Sequence, residues 1–204
     1  MDTDESRVAA LLNSKGLRVE RFSNVEKQQS RTPDFRVFRG NQLAFFCEVK
    51  TMAPDDIEKQ LEKAPFVGGA QPDPTFNRLT GKIHDAVQQF DAVNSSMEYP
   101  NVLALVNHDQ SVDLNDLYAV LTGTFRADDG SHDPSYRQFS EGRIREEKSR
   151  IHLYLWVDVD DHLFYRFNAE VPAHFATLCA CLGIEPSQVV IENFQQSMRK
   201  ESAR

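Results

Sequence analysis

Thr32-Pro33-Asp34-Phe35-Arg36-Val37, followed by Phe45-Phe46-Cys47-Glu48-Val49-Lys50-Thr51, are the two stretches that decide how this chain folds. Each reads as a β-strand, and Arg39-Gly40-Asn41 between them reads as the turn that folds one back beside the other. Side chains alternate along a strand, so Glu48 and Lys50 point to one side while Val49 points into the core. The run Leu43-Ala44-Phe45-Phe46-Cys47 is apolar at every position, the pattern of a strand covered on both faces, so this strand is expected to be central in its sheet. Pro33 suits the start of the preceding strand and holds Thr32 extended. In an antiparallel pair the start of one strand lies beside the end of the other. Asp34 should therefore come close to Glu48 and Lys50.

Outward from this pair, Asp4 to Ser14 reads as a helix with Val8, Leu11 and Leu12 on one face, stopped by Gly16. Leu17 to Phe22 reads as a short strand, and Val25 to Thr32 as a polar loop. Met52 to Pro74 is irregular, with at most a short helical stretch at Ile57 to Glu62. Phe76 to Val93 has Leu79, Ile83, Ala86, Val87 and Phe90 at helical spacing. Asn101 to Val106 reads as a buried strand and Asp113 to Leu121 as a short helix. Thr124 to Ser140 reads as a polar loop, followed by a charged segment, Glu141 to Arg150. Ile151 to Val159 and His162 to Phe167 form a hairpin around Asp160-Asp161. Val171 to Leu182 reads as a helix, Val189 to Ile191 as a short strand, and Met198 to Arg204 as a frayed tail. The order implies an α/β or α+β fold: a central mixed sheet flanked by helices, with a C-terminal α+β extension. Residues 1–109 are expected to form the core, and 110–204 to pack on the same domain.

Length and composition set the bounds. The chain has 204 residues, 40% hydrophobic and 26% charged, ordinary for a globular protein. No apolar run approaches the ~20 residues of a membrane span. Met1-Asp2-Thr3-Asp4-Glu5 lacks the pattern of a secretion signal. Three cysteines, Cys47, Cys179 and Cys181, cannot pair completely. A reduced, cytoplasmic protein is expected. The net charge of −8 argues against holding a nucleic acid by a broad basic face, but a divalent metal in a carboxylate site brings its own positive charge to a phosphate.

Two carboxylates and one ammonium at the end of a buried strand are costly to desolvate without partners. A hard divalent cation, Mg²⁺ or Mn²⁺, is the natural partner of Asp34 and Glu48. Such a metal polarises a phosphate oxygen and lowers the pKa of a bound water. Lys50 then orients or deprotonates the water, or stabilises the pentacoordinate phosphate. This combination suits phosphodiester hydrolysis. Pro33-Asp34 and Glu48-Val49-Lys50, with the order helix, three strands, helix, strand, resemble the PD-(D/E)XK nuclease superfamily, which includes restriction endonucleases and Holliday-junction resolvases. The resemblance spans Asp4 to Asp109.

It implies a restriction-endonuclease-like core and a metal-dependent nuclease acting on nucleic acid, DNA ahead of RNA. A homodimer is compatible with it, since many such nucleases pair to cut two strands. The alternative is a catalytically silent nucleic-acid-binding or regulatory module on the same fold. Family members often carry an acid in the first helix that completes the metal site, which makes Glu5 a metal candidate beside Asp34 and Glu48. A helix-start carboxylate favoured by the dipole is the competing role. In the helix after the motif, Lys82 and Gln89 share one face. Gln89, next to core residue Phe90, is the preferred fourth site residue, and an ordinary polar flank is its alternative.

The remaining signals are weaker. Arg143, Arg145, Lys148 and Arg150 form the best basic patch, but Glu141, Glu146 and Glu147 interleave it, as on a solvated charged face. Six histidines show no metal-ligand spacing. Tyr154, Trp156, Phe164, Tyr165 and Phe167 read as core or a dimer face rather than a base-stacking platform.

Overall fold

A computed structural model describes residues 3–53, 74–110, 112–126, 132–134, 144, 147–158, 162–168 and 174–186. The expectations for Ile57 to Glu62, Asp160-Asp161, Val189 to Ile191, Arg143, Arg145 and the tail lie outside them.

The chain is α+β, with a six-stranded mixed sheet flanked by helices. Helix α1 (Thr3–Ser14) precedes β1 (Arg18–Arg21), α2 (Asn24–Gln29), β2 (Phe35–Arg39) and β3 (Gln42–Met52). Helix α3 (Pro74–Asn94) leads to β4 (Asn101–Asn107), α4 (Leu114–Thr122) and a small hairpin, β5 (Thr124–Arg126) with β6 (His132–Pro134). A 3₁₀ turn (Glu147–Arg150), β7 (Leu153–Val157), β8 (Leu163–Phe167) and α5 (Phe175–Leu182) follow. The sheet order is β1-β2-β3-β4-β7-β8. The β3–β4 and β4–β7 pairs are parallel and the others antiparallel. Strand β3 is central, as its two-faced apolar run requires, and a bulge after Val37 sets its register against β2.

Two expected loops carry structure. Val25 to Thr32 contains α2, capped by Ser23, whose hydroxyl accepts from the Glu26 N–H while the Glu26 carboxylate accepts from the Ser23 N–H. This Ser-x-x-Glu capping box lies in the sequence, but α2 buries no residue, so no apolar stripe announces it. Thr124 to Ser140 contains the β5–β6 pair. A matching box at Asp113 and Asp116 starts α4, and Gly123, at φ +76°, ends it in a left-handed conformation that glycine adopts without strain.

Each face of the sheet has its own core. Leu79, Ile83 and Phe90 of α3 and Leu117 and Val120 of α4 pack against Phe46, Leu103, Leu105, Tyr154 and Trp156. Val8 and Leu12 of α1 and Leu178 and Leu182 of α5 pack against Phe35, Phe45, Cys47, Val102 and Ala104 on the other face. All seven residues of β4 are buried, alternating between the two cores. The hairpin aromatics Tyr154 and Trp156 are core residues, whereas Phe164 is exposed. No helix among the described residues is long and apolar enough to cross a membrane.

His152 sits where β7 meets β4. Its Nδ1 accepts the Asn101 backbone N–H at 2.9 Å, so the neutral ring carries its proton on Nε2. Nε2 finds no hydrogen-bond partner among the described residues, and the His174 ring lies edge-on 4.8 Å away. Burial, then the positive potential of His174 and Arg150, pushes the His152 pKa down to about 4. The unfolded chain takes up this proton near pH 6.5 and the folded chain does not. Stability from this residue is therefore intact above pH 6.5 and drains away as pH falls towards 4, by about 3 kcal/mol at most. His152→Asn keeps an acceptor near the Asn101 N–H and removes the titration. Its denaturant-unfolding free energy should match wild type at pH 8 and fall less steeply between pH 6.5 and 4. Parallel curves would discount the buried imidazole as the source.

Candidate active site

The strand pairing places the site. In β2–β3, Phe35 lies opposite Cys47, so extending the register puts Asp34 opposite Glu48 and Pro33 opposite Val49. Proline has no N–H, and the backbone ladder stops there. Side chains take over. The Asp34 N–H donates to Glu48 Oε2 at 3.0 Å, and the Val49 N–H donates to Asp34 Oδ2 at 2.9 Å. These two bonds lock the strands together and hold both acids at one mouth. On the next outward position of the same face, Lys50 Nζ donates to Glu48 Oε1 at 2.6 Å.

Gln89 reaches the same point from α3. Its Oε1 accepts from Lys50 Nζ at 2.8 Å, and its Nε2 donates to the Thr32 carbonyl at 3.1 Å. An ammonium can only donate and a carbonyl can only accept, so these partners fix which way the amide points. Gln89 thus ties the Lys50 ammonium to the segment that carries Asp34. The structure brings together Asp34, Glu48, Lys50 and Gln89.

The electrostatics are those of a crowded acid pair. Glu48 is 2% exposed. Burial, then the negative charge of Asp34, raises its pKa to about 8, despite the opposing pull of Lys50. At neutral pH and without a cation, Glu48 keeps a proton. This differs from a solvated strand-end salt bridge, in which water would keep both acids charged. Cys47 stays a thiol, since burial and then the two acids raise its pKa well above the ordinary range.

Glu5 does not join this group, because its carboxylate is ion-paired with Arg21 of β1. The acid of that helical turn which faces inward is Asp4, 4% exposed and unnoticed in the sequence. It accepts from the Thr51 hydroxyl at 2.5 Å and bonds His108 Nε2 at 2.9 Å, tying α1 to the ends of β3 and β4. The signal was spacing: Asp4 lies four residues before Val8 and eight before Leu12, on the buried stripe, while Glu5 lies on its flank. Among the described residues no three His, Cys, Asp or Glu side chains gather as a metal cage.

The basic patch is not a phosphate surface at its described positions. Lys148 is buried and donates to the Leu121 carbonyl, and Arg150 is held by Asp91 of α3. The 3₁₀ turn folds these residues back onto α3 and α4. Compared with protein-family models, curated proteins and solved structures, the chain matches none.

Proposed function

We propose that this chain is a metal-dependent nuclease on a restriction-endonuclease-like core, hydrolysing phosphodiester bonds in nucleic acid, DNA ahead of RNA. One observation carries the reading: Glu48, buried to 2% exposure, is pressed against Asp34 beside a lysine that a helix glutamine holds in place. Such crowding destabilises the fold unless a cation resolves it. The donor set fits Mg²⁺ or Mn²⁺. Two hard carboxylates suffice, because Mg²⁺ keeps several waters and takes its remaining ligands from solvent and phosphate. Asp34 and Glu48 would hold the ion, with Glu48 releasing its proton on binding. Once bound, the ion supplies Lewis acidity to the phosphate and acidifies a water.

The protein's own contribution is positioning and charge. Lys50 presents an ammonium aimed by two acceptors, able to stabilise the anionic phosphorane or to orient the attacking water. Gln89 restrains that ammonium, so less reorganisation is needed as negative charge develops.

Plasmid DNA incubated with the chain should be nicked or cut in Mn²⁺ or Mg²⁺ and remain intact in EDTA. Retention of DNA on the protein without any cutting in either metal would replace this reading with the non-cutting module.

A further inference from the structure

Helix α3 carries a polar flank that runs along the mouth of the site. Successive helical residues turn by about 100°, so Arg78, Lys82, Asp85 and Gln89 fall on one stripe, roughly a third of a turn from the buried Leu79, Ile83 and Phe90. Contacts at its two ends fix where it faces. At its start, Arg78 donates to Asp109 at 2.9 Å and to the Ala53 carbonyl, at the ends of β4 and β3. At its other end, Gln89 meets Lys50 and Thr32. Lys82 lies between these anchors, about 10 Å along the axis from Gln89 at 1.5 Å per residue.

Lys82 differs from the cations around it. Arg78 is paired with Asp109 and Arg21 with Glu5, and Lys50 is held by Glu48 and Gln89. Lys82 is half-buried and makes no hydrogen bond or ion pair with a described residue. Asp85, one turn on, is exposed and leaves it unpaired. Its stem packs along the helix flank while its charge has no protein counter-ion among the described residues, which leaves the ammonium available to an anion that enters between the two anchored positions.

We infer that Lys82 binds a backbone phosphate neighbouring the one that is cleaved, so that the α3 flank sets the path of the nucleic-acid strand through the site. The inference rests on the nuclease reading and names a substrate contact within it. Lys82 would position the strand, while Asp34, Glu48 and Lys50 act at the scissile phosphate. It also offers one way for an acidic protein to hold a polyanion, through a single cation on the helix flank beside the site rather than a basic face.

The test is steady-state cleavage of a fluorescein-labelled DNA duplex, and of one of its strands alone, in Mn²⁺ over a series of salt concentrations. Lys82→Ala should raise KM about 10-fold with kcat within about 2-fold, and flatten the dependence of log(kcat/KM) on log[salt] by about one unit, the signature of one lost phosphate contact. Lys82→Arg should recover most of the KM, since the charge is retained. Mn²⁺ affinity, read as the metal-induced rise in Tm, should be unchanged in both variants. A wild-type salt slope and KM in Lys82→Ala would overturn the inference and leave the nuclease reading standing, as would a loss confined to kcat. Wild-type protein that cleaves neither substrate would remove both.

Discussion

Lys50→Ala should fold as wild type does and cut DNA at least ~10³-fold more slowly, a loss of about 4 kcal/mol of transition-state stabilisation. Lys50 is on the rim of the sheet, 16% exposed at its side chain, and its only described partners are Glu48 and Gln89. Truncation leaves both apolar cores untouched, so far-UV circular dichroism and Tm should barely move. The chemistry changes in two ways. The ammonium that faces developing phosphorane charge is gone. Glu48 also loses the one cation that draws its pKa down, so its carboxyl holds a proton to higher pH. Metal binding should then need more alkaline solution than in wild type. Raising the pH to about 9 should restore the Mn²⁺-induced rise in Tm without restoring cleavage. Cleavage at the wild-type rate in this variant would be incompatible with the proposed function.

Asp34→Asn should separate function from stability in the opposite sense. The amide oxygen can still accept the Val49 N–H that Asp34 Oδ2 now accepts at 2.9 Å, so the strand junction survives. What disappears is the negative charge that, after burial, does most to raise the Glu48 pKa. The amide N–H₂ can donate to the Glu48 carboxylate instead of repelling it. The variant should therefore be more stable than wild type in EDTA, by about 1 kcal/mol. The metal response should vanish. Wild-type protein with ion at a hundred times its Kd gains about 2.7 kcal/mol of apparent stability, and Asp34→Asn should gain almost none. Cleavage should fall at least ~10³-fold. Thermal unfolding with and without Mn²⁺, alongside the plasmid assay, measures all three. A variant that is less stable in EDTA and still stabilised by Mn²⁺ would mean that the acid pair serves the fold rather than a cation.

Much of this site was legible in the amino-acid sequence, because its geometry is local. Asp34, just before β2, and Glu48 on β3 are brought together by strands joined through a two-residue turn, Gly40-Asn41, and strand alternation assigns Glu48 and Lys50 to one face without knowledge of anything distant. The central place of β3 also followed, since Leu43 to Cys47 offer no polar face to water. Gln89 followed from helical spacing next to the apolar stripe, although nothing in that spacing says which atom it would hold.

Tertiary structure decided what depends on neighbours remote in the chain. The burial of Glu48, and with it the raised pKa, is a property of the packed sheet that no local spacing announces. Glu5 and Asp4 are adjacent and chemically alike, and only the seating of α1 on the sheet sends one to Arg21 and the other to Thr51 and His108. Lys148 and Arg150 read as a surface patch until the 3₁₀ turn folds them onto α4 and α3. Local periodicity fixes which side of an element a residue occupies. What stands on that side is set by long-range packing, and packing selects whether a charge meets water, an ion pair or another charge.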